Sequence, residues 1–169
     1  MFLRPNPAPV TPLAQMNSST RVRSAHQEDF DAWALLWDGY NAFYGRSGPT
    51  ALPDTVTQVT WQRFFDPVEP VFCLVAEHEG HVVGLTHYLF HRSTTRIEPV
   101  CYLQDLFTVP ERRAQGVGRA LIHAVFEQAG LAGAKRVYWQ TQVTNEAGRV
   151  LYDKVAKHAG FIVYSHDEP

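Results

Sequence analysis

The chain has 169 residues, 45% of them hydrophobic and 12% aromatic, which suits the core of one domain and excludes a wholly disordered or fibrous protein. A formal net charge of -2 with no long Lys/Arg run provides no basic field for phosphate backbones, so nucleic acid is not an expected partner. No apolar stretch approaches the ~20 residues of a membrane span, so no membrane partner is expected either and the default address is cytoplasmic.

Four prolines fall within the first twelve positions. Residues 1–19 therefore read as a disordered lead-in, too proline-rich for a signal-peptide core, and residues 20–169 as the domain. Arg21-Val22-Arg23 alternates charged and apolar side chains as a strand does. Phe30, Trp33, Leu36 or Trp37, Tyr40 and Tyr44 then recur at helical spacing. Pro49 and Pro53 interrupt this pattern, and VTQVTWQRFF follows as a second short helix. VFCLVAEH and HVVGLTHYLF are two apolar runs joined by Glu79-Gly80, the signature of an antiparallel hairpin. VCYLQDLFTV, closed by Pro110, reads as a central strand. From Gly116 the period becomes helical through Val117, Leu121, Val125 and Ala129, ending at Gly130 and Gly133. KRVYWQTQ reads as a strand, Asn145 to His158 as a helix stopped by Gly160, and FIVYS as the last strand. This order predicts an α/β fold of the α+β type, with parallel crossovers only in its second half.

Cys73 and Cys101 lie inside apolar runs, as buried free thiols of a reducing compartment do. Among eight histidines, His87 and His91 are spaced as zinc ligands on a helix would be. On a strand that spacing separates them by ~13 Å, so no metal is expected.

The stretch richest in chemistry is RAQGVG, residues 113–118, between a strand and a helix. Free N–H groups at a helix start and the positive end of its dipole can hold a phosphate there. The loop has neither the Gly-Lys-Ser/Thr of a Walker A motif nor the three glycines of a dinucleotide fingerprint. Taken alone it is equally a tight turn without a ligand.

Together, LQDLFTVPERRAQGVGRALI and TNEAGRVLYDKVAKHAGF resemble the GNAT superfamily of acyl-CoA-dependent N-acyltransferases, over residues 21–165. Arg113, Gly116 and Gly118 match its pyrophosphate loop. Asn145 and Tyr152 match its last helix, with Gly160-Phe161 behind and a departure at Gly148, where similar sequences often have Ala. The resemblance implies a mixed, mostly antiparallel twisted sheet with splayed central strands and flanking helices. It also implies acetyl-CoA as cosubstrate, no metal, and acetyl transfer to a primary amine, a small molecule rather than a protein. The backbone of Leu106, Phe107, Thr108 and Val109 would meet the pantetheine arm. Arg113, Ala114, Gln115, Gly116, Val117, Gly118 and Arg119 would hold the pyrophosphate, and Asn145 would cap the last helix and touch the arm. Tyr152 would stabilise or protonate the departing thiolate.

Tyr40, Tyr44 and Gln104 are the acceptor-side residues on this reading. The general base is open. Polyamine-type members carry Glu-Asp where this chain has Gln104-Asp105, and Gln104 cannot be a base. Alternation sends the two to opposite faces unless a bulge re-aims one, which makes Asp105 the candidate, with Glu98 or a water chain as alternatives. Glu28, Asp29, Asp31 and Asp38 either attract a cationic amine or form a solvated helix face. A non-catalytic acyl-CoA-sensing module and covalent transfer through Cys101 or Cys73 are the rival functions, and a homodimer stays open.

Overall fold

In the computed structural model, which describes residues 20–167, five strands form one sheet in the order β1-β2-β3-β4-β5. They are β1 (Thr20–Ser24), β2 (Val71–His78), β3 (His81–His91), β4 (Val100–Thr108) and β5 (Val137–Tyr138). The first four pair antiparallel, and β5 joins β4 in parallel, the geometry a helical crossover imposes. The helices are α1 (Phe30–Phe43), α2 (Asp54–Arg63), α3 (Val117–Leu131) and α4 (Glu146–Val155). The proline-rich lead-in read at residues 1–19 lies outside the described residues.

Alternation along the strands builds a core on each face of the sheet. On one face Phe72, Leu74, Tyr88, Cys101 and Leu103 pack under Val117, Leu121 and Val125 of α3. On the other, Cys73, Val75 and Leu85 pack under Trp33, Leu36, Trp37 and Tyr40 of α1, with Trp61 and Phe64 beside them. Gly84 lets α3 approach closely: a Cβ there would lie 3.1 Å from side-chain carbons of Val117 and Leu121. The β2–β3 hairpin turns through Glu79 (φ 51°) and Gly80 (φ 80°), the paired positive dihedrals of a tight two-residue loop.

The register of β3 against β4 slips once: His87 pairs Asp105 and Tyr88 pairs Leu103, so Gln104 is the extra residue of a bulge. The slip reverses the facing of everything after it. Cys101 and Leu103 point into the α3 core, whereas Phe107 packs with the α1 core.

Two expected strands differ. KRVYWQTQ contributes only Val137 and Tyr138, which pair with Cys101 and Tyr102; from Leu103 to Thr108 β4 has no strand partner on that side among the described residues. FIVYS is not a strand: residues 157–167 carry no regular structure, and Phe161, Ile162, Val163 and Tyr164 are 62–86% exposed. Its alternating apolar pattern is a strand pattern, yet among the described residues the two-residue β5 gives it no ladder on which to extend.

Candidate active site

The bulge places Asp105 under α1, 7% exposed, where an unpaired carboxylate would be costly. Three groups surround it. Thr86, fully buried on β3, donates its hydroxyl to the Asp105 backbone carbonyl at 2.8 Å. His87 meets the carboxylate through Nδ1 at 2.9 Å, and the Tyr40 phenol of α1 lies beside it, close enough for the carboxylate to raise it. The indole Nε1 of Trp33 reaches His87 Nε2 at 2.9 Å. Because an indole N–H can only donate, Nε2 must carry the lone pair and Nδ1 the proton, so His87 donates to Asp105 as a neutral imidazole. Burial first, and then the Asp105 carboxylate, push the Tyr40 phenol well above its ordinary range, so its hydroxyl stays a donor.

Where β4 and β5 part, aromatic hydroxyls gather. Tyr102 and Tyr138 have ring centroids 4.9 Å apart, and burial raises the Tyr102 phenol, with Tyr138, Asp105 and Tyr44 adding to it. Tyr152 of α4 packs edge-on against Trp139 at 5.5 Å. Burial pushes its phenol up to about 12, with Tyr44 adding to the effect. Tyr152 is therefore a neutral donor throughout the ordinary pH range. Asn145 caps α4, accepting from the Gly148 amide at 3.1 Å, while its Nδ2 donates to Thr141 Oγ1 at 2.9 Å. A Cβ at Gly148 would come within 2.6 Å of that Asn145 amide. Glycine here makes room for the cap, where the sequence alone suggested only a looser helix.

The turn from β4 into α3 has two residues with positive φ, Ala114 at 58° and Gly116 at 89°, a backbone shape that turns successive N–H groups toward one side. Gly116 precedes α3 and no side chain caps that end, so the first amides of the helix, at Val117, Gly118 and Arg119, have no intrahelical acceptor. Together with the helix dipole they form an anion cradle. Arg113 folds back onto β4, its Nε donating to the Thr108 carbonyl at 3.1 Å and its guanidinium 5.7 Å from the Phe107 ring centroid. Gln115 turns to the Glu111 carbonyl at 3.0 Å. The side chain of Val117 is 3% exposed and packs in the core, leaving its amide for the cradle.

The structure thus brings Tyr40 and Asp105 close enough for the carboxylate to raise the phenol, and places Tyr44 close enough to raise both Tyr102 and Tyr152. It sets Gln104 apart, exposed on the bulge. Glu98 is paired with Lys135 at 2.5 Å, which holds its carboxyl below the usual range. Asp29 is bound by both terminal nitrogens of Arg23, at 2.6 and 2.8 Å, and Glu28, Asp31 and Asp38 are exposed. Cys101 is fully buried, which pushes its thiol up to about 12, and burial also raises Cys73 well above its ordinary value. Sequence reading missed His87, Trp33 and Thr86 as partners of Asp105. A histidine and a threonine inside an apolar strand facing a carboxylate-bearing strand were the available signal.

Residues 31–157 match the acetyltransferase (GNAT) family. The chain belongs to the GNAT family. It is 32% identical over 158 residues to the D-amino-acid N-acetyltransferase HPA3 of Saccharomyces cerevisiae, covering 92% of this chain and 96% of the relative. It is 28% identical over 150 residues to the uncharacterized N-acetyltransferase YhfO of Bacillus subtilis, covering 88% and 97%. The aminoglycoside acetyltransferase AAC(6')-Iy, solved with a bisubstrate analogue, superposes with a TM-score of 0.76 at 15% identity, over 90% of this chain and all of that one. A ribosomal-protein-alanine N-acetyltransferase of Brucella melitensis superposes at 0.73 and 17% identity, over 89% of this chain. This GNAT protein is an acetyl-CoA-dependent N-acetyltransferase, and its sheet, parted between β4 and β5, is the GNAT fold.

Proposed function

We propose that the protein moves the acetyl group of acetyl-CoA directly to a primary amine of a small molecule. The observation that carries this reading is the Asp105 carboxylate, built into a hydrogen-bonded site beside the open side of β4. Acetyl-CoA, when bound, supplies an activated thioester carbonyl. The uncapped amides of α3 suit its pyrophosphate, and the unpaired backbone edge of Leu106 and Phe107 suits the amide-bearing arm. Asp105 accepts the proton that an acceptor ammonium must lose before it can attack. Tyr40 and His87 keep that carboxylate oriented, and Tyr152, a neutral phenol, donates to the departing sulfur.

Small acceptors suit the named specificities of the yeast relative and of AAC(6')-Iy. The sensing alternative loses its support, since Asp105 supplies the carboxylate that Gln104 lacks. Covalent transfer loses its support as well, because both thiols are buried and held protonated. The buried free cysteines suit a reducing compartment such as the cytoplasm, and the exposed apolar tail together with the short β5 edge suits a homodimer. The decisive experiment is thiol release from acetyl-CoA across a panel of primary amines. Release that depends on the amine is expected, and slow release at the same rate with and without amine would overturn the reading.

A further inference from the structure

Arg46 lies just beyond the end of α1 and is held there by Asn41. Its backbone N–H donates to the Asn41 carbonyl at 2.9 Å and its Nε to Asn41 Oδ1 at 2.8 Å. Asn41 is itself 4% exposed, with its Nδ2 on the Trp37 carbonyl at 2.9 Å. The guanidinium sits 5.8 Å from the centroid of the Tyr40 ring and 5.5 Å from that of Tyr44. The half-buried Arg23, by contrast, is consumed by Asp29 and Glu77. Arg46 has no ion pair among the described residues, and its terminal nitrogens keep their planar fork free.

The two rings beneath that fork belong to the active-site crevice. Tyr40 lies close enough to Asp105 for the carboxylate to raise its phenol, and Tyr44 is close enough to Tyr102 and Tyr152 to raise both of theirs. Trp37 stacks on Tyr40 at 5.2 Å, and its buried Nε1 is a side-chain donor without a partner among the described residues. One end of the Tyr40 ring system therefore meets a carboxylate and its face meets an unpaired guanidinium.

We propose that Arg46 binds the carboxylate of an amino-acid acceptor, leaving the α-ammonium of that acceptor toward Tyr40 and Asp105. A zwitterion whose ammonium and carboxylate share one carbon matches this opposed pair, and a bidentate guanidinium–carboxylate contact fixes which nitrogen is presented. The inference rests on the amine-acetyltransferase reading and narrows its acceptor class.

The test compares matched acceptors differing only in the carboxylate: phenylalanine, as both enantiomers, against phenethylamine, and leucine against isopentylamine, each followed by thiol release. In the parent protein the amino acid of at least one pair should have the higher kcat/KM. Arg46→Met should lower the ratio of amino acid to amine by ~30-fold, mostly through KM, and Arg46→Lys should restore part of it. A parent that prefers both decarboxylated amines, or an unchanged ratio in folded Arg46→Met, would overturn the assignment while leaving the transferase reading intact. No amine-dependent release with any acceptor would overturn both.

Discussion

Tyr152 and Asp105 are asked to handle protons at opposite ends of one reaction, and their surroundings suit them to opposite tasks. Burial keeps the Tyr152 phenol protonated up to about 12, so the donation to sulfur proposed for it would not vary with pH between neutrality and pH 10. Tyr152→Phe keeps the ring against Trp139 and removes only the hydroxyl. We expect kcat to fall by ~10²-fold, equally at pH 7 and pH 9, with coenzyme affinity little changed. Single-turnover rates and melting temperature on one preparation check this; normal chemistry with a lower melting temperature would make Tyr152 a packing residue only. Asp105→Asn has a different signature. A carboxylate base matters where the acceptor is an ammonium, so the loss should reach ~10²-fold below the acceptor's own pKa and shrink above it, where free amine is already present. A kcat/KM profile from pH 6 to 10 that runs parallel to the parent's would remove Asp105 from the chemistry. Of these two residues Tyr152 was readable from sequence, through the resemblance of the stretch from Asn145 to Tyr152 to the family's last helix. Asp105 was readable only as a candidate, since its facing depends on a bulge that alternation cannot reveal. The same bulge concealed His87, which strand spacing alone made merely a poor metal ligand.

Among the elements, the amphipathic ones were legible and the ones set by long-range geometry were not. α1 and α3 each bury one helical face on the sheet, and the Glu79-Gly80 turn fixes the hairpin locally, so pattern and turn chemistry sufficed. β5 ends after Tyr138 because β4 and β5 diverge there, a property of the pair that neither strand's residues encode alone. The turn into α3 is the element proposed to hold the coenzyme, and Gly116 is its constraint. At φ 89° a side chain is strained whatever space is available. Gly116→Val should weaken coenzyme A binding at least tenfold by calorimetry, since relieving the strain turns the α3 amides out of the cradle. Unchanged affinity in a folded variant would show that the phosphate is held elsewhere. Gly118→Val is a less clean probe, because its Cβ would press on Leu151 of α4 at 3.2 Å and disturb the helix carrying Tyr152.

At the scale of the whole molecule the unexplained feature is the tail. Phe161, Ile162, Val163 and Tyr164 stand in water at 62–86% exposure, beyond a Gly160 whose φ of 75° redirects the chain away from α4. Four consecutive apolar residues of high β-propensity are unfavourable in that state and are a hazard for promiscuous strand pairing. The sheet that could receive them ends in β5, whose outer edge is unpaired among the described residues. A second copy of the chain offers both the edge and a like tail to exchange, so the proposed homodimer would cover the exposed surface of each copy symmetrically. Strand pairing of this kind uses backbone N–H groups, which separates it from simple apolar contact. Val163→Pro removes one donor and stiffens the segment without adding charge. Sedimentation of the parent at micromolar concentration should give a dimer, and the Val163→Pro variant should shift toward monomer with its melting curve broadened by the loss of partner. A monomeric parent would overturn the dimer outright, and a dimer indifferent to the proline would move the interface away from the tail.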